Sequence, residues 1–115
     1  MTGARILVVE DNASLALTYS VQLSEAGYDV EVCGTGAEAM AALGGEQRFD
    51  MVLLDLQLPD ANGLDLLQSC GEILSGTSVI VITADASLNR AVEAMRLGAY
   101  DFLVKPVKAD RLLTT

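Results

Sequence analysis

Short apolar runs alternate along this chain with longer segments whose apolar residues recur at helical spacing. In the first of these segments, Leu15, Tyr19 and Leu23 share one face of a predicted helix. The short runs are typical of strands that are buried or half-buried in a sheet. The predicted strands are Arg5–Val9, Asp29–Cys33, Asp50–Leu54, Ser78–Ile82 and Asp101–Val104, and a last helix begins after Pro106.

The order of these elements predicts an α/β fold. Five strand–helix units imply a parallel sheet with helices on both faces. The first, third and fourth strands are apolar throughout, which predicts central positions, whereas Asp29–Cys33 alternates polar and apolar residues, as an edge strand does. This pattern fits a flavodoxin-like, doubly wound, five-stranded sheet of order 2-1-3-4-5, whose functional site lies at the carboxyl ends of the first and third strands.

Local signals mark the ends of several helices. Gly27 and Gly98 each follow an apolar periodic segment, at the position that a C-terminal glycine prefers. Thr35 and Glu38 form a capping-box pair in front of a segment rich in alanine. The residues that follow the spacing of an amphipathic fourth helix are Leu88, Ala91, Val92 and Met95.

Composition limits the classes of function that this fold can serve. The chain has 115 residues, the size of one domain, and a net charge of −9, which disfavours direct nucleic-acid binding. It has no histidine, the commonest general base and metal ligand, so a metal would be held by oxygen atoms. Cys33 and Cys70 lack metal-like spacing and are expected to be reduced thiols. The sequence shows neither a membrane-spanning stretch nor a signal peptide, and we expect a cytoplasmic protein.

Five side chains that could bind ions or take part in a reaction fall at the predicted strand ends. Three carboxylates that converge at one edge of a sheet repel one another, and a hard divalent cation such as Mg²⁺ removes that conflict. A lysine and a hydroxyl beside them would bind phosphoryl oxygens, and a carboxylate can act as the nucleophile that forms an aspartyl phosphate. These residues are Glu10 and Asp11 after the first strand, Asp55 after the third, Thr83 after the fourth and Lys105 after the fifth.

Four segments, VVEDN, LLDLQLPDANG, VITA and FLVKP, occur in order at strand ends and together resemble the receiver domain of bacterial two-component response regulators. The resemblance implies that Asp55 is the phosphoacceptor and that Thr83 and Lys105 contact the phosphoryl oxygens. It also implies the Mg²⁺ ligands: Asp11 directly, Glu10 mainly through water, Asp55, and the backbone carbonyl of Gln57.

The resemblance further implies a switch and its partners. Thr83 moves toward the phosphoryl group and Phe102 turns inward, although ordinary core packing of Phe102 is an alternative. The Lys105–Pro106 bond is expected to be cis. The face formed by the fourth helix, fifth strand and fifth helix would then change shape for a partner or a homodimer. The phosphoryl donor would be a histidine kinase or a histidine phosphotransfer protein, because this chain contains no histidine.

The sequence leaves other interpretations to be weighed. Gly34–Ala39 matches the G-x-G-x-x-A pattern of dinucleotide-binding turns, but it follows the predicted edge strand. Phosphatases with an aspartyl nucleophile resemble this chain less, because they carry a second Asp where Gln57 stands. A receiver-like docking module that never takes phosphate is a third alternative.

The end of the chain and its motifs bear on the rest of the protein. The sequence stops at KADRLLTT, early in the predicted last helix, so we expect that helix to be truncated and residues 1–115 to form one receiver domain of a longer protein. The stretch from Ile82 to Pro106 most resembles receivers attached to enhancer-binding transcription activators. We therefore expect a covalently linked output domain that controls transcription.

Overall fold

The computed structural model describes residues 4–45, 48–60, 62–69, 77–84 and 88–105. The predicted last helix, Pro106 and Cys70 lie outside these ranges. None of the helices within them is long and apolar enough to cross a membrane. The elements, in chain order, are β1 (Arg5–Val9), α1 (Ala13–Glu25), β2 (Asp29–Cys33), α2 (Gly36–Leu43), β3 (Met51–Asp55), α3 (Gly63–Ser69), β4 (Ser78–Thr83), α4 (Leu88–Arg96) and β5 (Asp101–Val104).

The strands form one parallel sheet in the order β2-β1-β3-β4-β5, which confirms the predicted topology and the edge position of β2. The predicted ends of two strands were wrong by one residue. β3 starts at Met51, one residue later than predicted, and it also ends one residue later because Asp55 still pairs with Ile82. β4 also extends by one residue, since Thr83 pairs with Val104. Both polar residues therefore belong to the sheet rather than to the loops that follow it.

Two apolar layers cover the two faces of the sheet. Side chains alternate along β1, so Leu7 and Val9 join a cluster with residues of α2, α3 and α4, while Ile6 and Val8 join a cluster with Tyr19 of α1. These four β1 side chains are at most 1% exposed. Burying each contributes roughly 1.5–3 kcal/mol relative to exposure. The core thus fixes β1 and its neighbours, whose carboxyl ends lie side by side.

The helix ends follow the predicted signals, with one difference. Gly27 and Gly98 have φ angles of 98° and 100°, in the left-handed region that glycine adopts without strain. The Thr35 hydroxyl oxygen accepts a hydrogen bond from the Glu38 amide at 3.1 Å, as a capping box requires. In a capping box the Glu38 carboxylate would accept a hydrogen bond from the Thr35 amide. Here it accepts from the Gly34 amide instead, at 2.9 Å. This contact ties the β2–α2 connection to the first turn of α2.

The fourth helix is present as predicted, but its apolar spacing does not mark its buried face. Ala94 is fully buried, whereas Val92 is 42% exposed and Met95 is 49% exposed. Tyr100 and Val104, beside and within β5, are also exposed. Apolar side chains therefore remain in contact with solvent along α4 and β5.

Candidate functional site

Three carboxylates meet at the carboxyl edge of the sheet. Val9 of β1 pairs with Leu54 of β3, so the residues that follow, Glu10 and Asp55, are neighbours. One oxygen from each of Glu10, Asp11 and Asp55 lies within 4.8 Å of the others. Glu10 and Asp55 are 3% and 4% exposed, whereas Asp11 is exposed to solvent. The cluster is therefore buried on one side and open on the other.

The Lys105 ammonium lies between two of these acids. Its Nζ atom is 2.8 Å from Glu10 Oε1 and 2.9 Å from Asp55 Oδ2. The Lys105 amide also donates to the carbonyl oxygen of Thr83 at 2.8 Å, which fixes the start of the segment after β5 against β4. The predicted lysine thus reaches the acid cluster from the far side of β4.

Burial and charge together shift the pKa values in this cluster. Burial raises the pKa of Glu10 to about 7, and the adjacent Asp55 carboxylate adds to this effect, while Lys105 opposes it. Burial alone would lower the pKa of Lys105, but its bonds to Glu10 and Asp55 raise it overall. One ammonium therefore does not fully offset the negative charge of these acids.

The donor set suits a hard divalent cation. All three side chains offer carboxylate oxygens, the ligands that Mg²⁺ prefers, and they converge within binding range. The exposed side at Asp11 leaves room for the water molecules that Mg²⁺ usually keeps. Glu10, Asp11 and Asp55 thus fit a magnesium ion on grounds of chemistry, charge and access.

Backbone contacts join the two ends of the loop between β3 and α3, beside Asp55. The Gln57 amide donates to Asp55 Oδ1 at 3.0 Å and so orients the carboxylate. Gln57 forms an antiparallel bridge with Asn62, and the Gly63 amide donates to the Leu56 carbonyl oxygen at 2.8 Å. A Cβ atom on Gly63 would lie 2.7 Å from the Asp55 carbonyl oxygen, so only glycine fits this close approach.

The remaining predicted residues lie near this edge in different environments. Thr83, at the end of β4, is fully buried. Phe102, in β5, is partly buried and packs against the cluster on the α2, α3 and α4 side of the sheet. This position agrees with ordinary core packing in the present conformation. Pro106 follows Lys105 and lies outside the described residues.

The sequence analysis missed an acid that connects a loop to the start of a helix. Asp60, in the β3–α3 loop, accepts hydrogen bonds from the amides of Gly36 at 2.7 Å and Ala37 at 3.0 Å. These bonds lower the pKa of Asp60 below its ordinary value. The carboxylate therefore occupies the N-terminus of α2, where the dinucleotide pattern of Gly34–Ala39 would place a pyrophosphate. This contact argues against the dinucleotide interpretation.

Tyr19 is a second residue that periodicity alone identified only as core. It is 2% exposed, and its hydroxyl has no hydrogen-bond partner within the part of the chain that the structure describes. Burial raises its pKa, and the charges of Glu10 and Asp55 add to this effect. Tyr19 therefore lies in the apolar cluster on the α1 side of the sheet, close enough to the acid cluster for its charges to act on the hydroxyl.

Comparisons with known proteins agree with this geometry. A family model described as "Response regulator receiver domain" matches residues 6–115. Regulatory protein LuxO of Vibrio cholerae is 44% identical over 94% of this chain and 24% of its own length. The alginate biosynthesis transcriptional regulatory protein AlgB of Pseudomonas aeruginosa is 38% identical over the same shares, 94% and 24%. The chain thus spans about a quarter of the length of these curated relatives.

Solved structures give the same result for the fold. A response regulator protein from Burkholderia pseudomallei, solved with a phosphorylated aspartic acid, a calcium ion and citrate, superposes with a TM-score of 0.91. It is 30% identical to this chain, and the match covers 96% of this chain and 65% of that one. The fold predicted from the strand–helix pattern is confirmed by this similarity.

Proposed function

Because this chain belongs to the response regulator receiver domain family, we propose that it accepts a phosphoryl group on Asp55 and passes the signal to an output. The observation that carries the proposal is the position of Lys105 Nζ, 2.9 Å from Asp55 in a cluster that also holds Glu10 and Asp11. This arrangement combines a nucleophile, a cation for phosphoryl oxygens and a set of metal ligands. The Burkholderia pseudomallei structure, with its phosphorylated aspartic acid and calcium ion, supports the same chemistry.

The chemical step transfers one phosphoryl group. An Asp55 carboxylate oxygen bonds to phosphorus while the P–N bond of a phosphohistidine breaks, and the electron pair of that bond returns to the imidazole nitrogen. The Gln57 amide, 3.0 Å from Asp55 Oδ1, keeps the carboxylate oriented for attack. Lys105 neutralises phosphoryl charge, and Thr83 donates a hydrogen bond to a phosphoryl oxygen.

The chain's own oxygen atoms would hold the metal. Asp11 and Asp55 would bind Mg²⁺ directly, Glu10 would bind it mainly through water, and the Gln57 backbone carbonyl would be a further protein ligand. When bound, Mg²⁺ supplies positive charge that stabilises the transferring phosphoryl group. The raised pKa of Glu10, about 7, means that metal binding competes with a proton at this residue near neutral pH.

Phosphorylation is proposed to shift a population between two packings. Thr83 moves toward the phosphoryl group, and Phe102 turns further inward into the space that the Thr83 side chain leaves. The exposed apolar residues in α4, in β5 and just before β5 support a surface that a partner or a second copy could cover. Those residues are Val92, Met95, Tyr100 and Val104. The predicted fifth helix would complete this surface.

The partners follow from the same proposal. The donor is a histidine kinase or a histidine phosphotransfer protein, since this chain has no histidine of its own. Residues 1–115 act as one receiver domain within a longer regulator of transcription, which the lengths of LuxO and AlgB and the name of AlgB support. The proposed location of this regulator is the cytoplasm. Direct contact with nucleic acid is assigned to the output domain, because a net charge of −9 repels a phosphate backbone.

The test uses Mg²⁺ with acetyl phosphate or with the phosphoryl mimic beryllium fluoride. We expect acetyl phosphate to add one phosphoryl group, measured by intact mass, and beryllium fluoride to shift the amide NMR spectrum around Asp55. Asp55→Asn should abolish both responses, while Asp65→Asn, an exposed acid in the first turn of α3, should retain them. A wild-type chain that responds to neither reagent, or an unchanged response in Asp55→Asn, would instead favour a phosphorylation-independent docking module.

A further inference from the structure

Asp60 is an exposed acid outside the carboxylate cluster, and it joins the β3–α3 loop to the N-terminus of α2. Its two oxygens accept hydrogen bonds from Gly36, at 2.7 Å, and Ala37, at 3.0 Å. We propose that Asp60 is a positioning residue, which holds the β3–α3 loop so that the Gln57 backbone stays in place beside Asp55. This inference rests on the proposed function, because it concerns metal binding at the same site.

A chain of hydrogen bonds links Asp60 to the acid cluster on the β1 side. The Glu10 amide donates to the Cys33 carbonyl oxygen at 2.9 Å, which ties the end of β1 to the end of β2. The Gly34 amide then donates to Glu38 within the first turn of α2, at 2.9 Å. The β2–α2 connection is therefore anchored next to Glu10, and Asp60 is attached to this anchored segment.

A second set of contacts carries the position of Asp60 to Asp55. Only Leu58 and Pro59 separate Asp60 from Gln57, and proline fixes its own φ angle. The loop is closed at its base by the bond between the Gly63 amide and the Leu56 carbonyl oxygen, at 2.8 Å. Asp60 thus restrains the tip of a loop whose base is closed by a backbone hydrogen bond.

Together these contacts form a ring around one side of the site. The ring runs from the backbone of Glu10 through β2 and α2 to Asp60, and from there through Gln57 to the Asp55 carboxylate. It therefore connects two of the three acids in the cluster by a route that leaves the sheet at the end of β2. Groups that hydrogen-bond directly to metal ligands commonly change metal affinity by 10- to 100-fold when removed, and Asp60, which acts one step further out, should have an effect at the lower end of that range.

A purely local role for Asp60 predicts a different result. The carboxylate could serve only as a cap that stabilises α2, alongside the Thr35 hydroxyl, which accepts from Glu38. Loss of a cap would lower the unfolding temperature and leave the Mg²⁺ affinity of the folded protein unchanged. Metal affinity therefore separates a positioning role from a capping role.

The experiment compares Mg²⁺ dissociation constants, measured by NMR titration of the metal-free protein. Asp60→Asn keeps the shape of the side chain but replaces one acceptor oxygen with an amide group, and we expect roughly tenfold weaker Mg²⁺ binding. Asp65→Asn removes the same charge from the exposed first turn of α3 and should change the constant by less than about twofold. Amide exchange at Gln57 should be faster in Asp60→Asn than in either of the other proteins.

A second variant removes the contact without changing any charge. Ala37→Pro deletes the amide that donates to Asp60 Oδ2 at 3.0 Å, and proline is tolerated in the first turn of a helix. We expect an intermediate loss of affinity, about threefold, because the Gly36 contact remains. Equal Mg²⁺ dissociation constants for Asp60→Asn and Asp65→Asn would overturn the proposal. Weaker Mg²⁺ binding in Asp60→Asn with unchanged binding in Ala37→Pro would also overturn it, because the effect would then come from charge alone.

The outcome is distinguishable from a failure of the proposed function. A wild-type protein that binds Mg²⁺ but takes no phosphoryl group on Asp55 contradicts the proposed function and leaves the comparison of dissociation constants valid. A wild-type protein that is phosphorylated, with constants unaffected by Asp60→Asn, contradicts only the role given to Asp60.

Discussion

Replacement of Glu10 by glutamine tests whether the acid cluster destabilises the metal-free protein. Glu10 is 3% exposed, and burial together with the neighbouring Asp55 raises its pKa from 4.5 to about 7. Between these two pH values the folded protein binds more protons at Glu10 than the unfolded chain does. The free energy of unfolding must therefore decrease as the pH rises through this window.

The pKa shift sets the size of the effect. At 1.36 kcal/mol for each unit of pKa, the rise from 4.5 to about 7 corresponds to roughly 3 kcal/mol of stability lost by pH 7.5. Glu10→Gln removes this titrating group and keeps a side chain of similar size. The variant should lose less stability than the wild type between pH 4.5 and pH 7.5, and the difference between their slopes isolates Glu10.

The assay is urea unfolding of both proteins at several pH values with a metal chelator present. A saturating concentration of Mg²⁺ should remove most of the pH dependence of the wild type, because the cation replaces the proton at the carboxylates. Parallel stability curves for the two proteins between pH 4.5 and pH 7.5 would refute the argument that burial suppresses ionisation of Glu10.

Three further predictions concern packing and buried groups. Gly63→Ala should lower stability by about 1–3 kcal/mol in urea unfolding, because the new Cβ would lie 2.7 Å from the Asp55 carbonyl oxygen; a loss below about 0.5 kcal/mol would contradict this. Tyr19→Phe should leave stability unchanged or raise it by up to about 1 kcal/mol, since the hydroxyl has no hydrogen-bond partner in the described ranges; a clear loss would reveal one. Burial raises the pKa of Cys33 from 9.0 to about 11, so its thiol should be alkylated about 100-fold more slowly in the folded than in the unfolded protein. Peptide mass spectrometry measures the two rates, and equal rates would show an accessible thiolate.

The sheet could be predicted from the sequence because its strands differ in polarity. Continuous apolar runs marked the strands that are buried on both faces, and the alternation in Asp29–Cys33 marked an edge. The ends of β3 and β4 were harder to predict, because Asp55 and Thr83 are polar yet still pair with the neighbouring strand. Polarity indicates burial, whereas a strand end is set by backbone hydrogen bonds.

Helical spacing likewise predicted α4 but not the side that it buries. Val92 and Met95 fit the apolar template and are nevertheless exposed, while the small Ala94 faces the core. An apolar stripe on a helix indicates a surface that is buried in some contact, but it does not distinguish contact with the core from contact with a partner. In the proposed function, that surface belongs to a partner.

The acids and the lysine of the site were predictable because the carboxyl ends of parallel strands meet at one edge. Asp60 was not, because its hydrogen-bond partners Gly36 and Ala37 lie 24 and 23 residues away in the chain. No local pattern distinguishes it from an ordinary turn residue, and only the folded structure brings its partners together.

The β3–α3 loop also shows that the exposure of a side chain is a poor guide to whether its position tolerates substitution. Asp60 is exposed but engaged by both of its oxygens, and Gly63 is buried where no Cβ fits. Gln57 is exposed and contributes its backbone amide to Asp55, so its side chain can vary without loss of that bond. Evolution can therefore alter the surroundings of Asp55 at position 57 while the neighbouring positions keep the loop's shape constant.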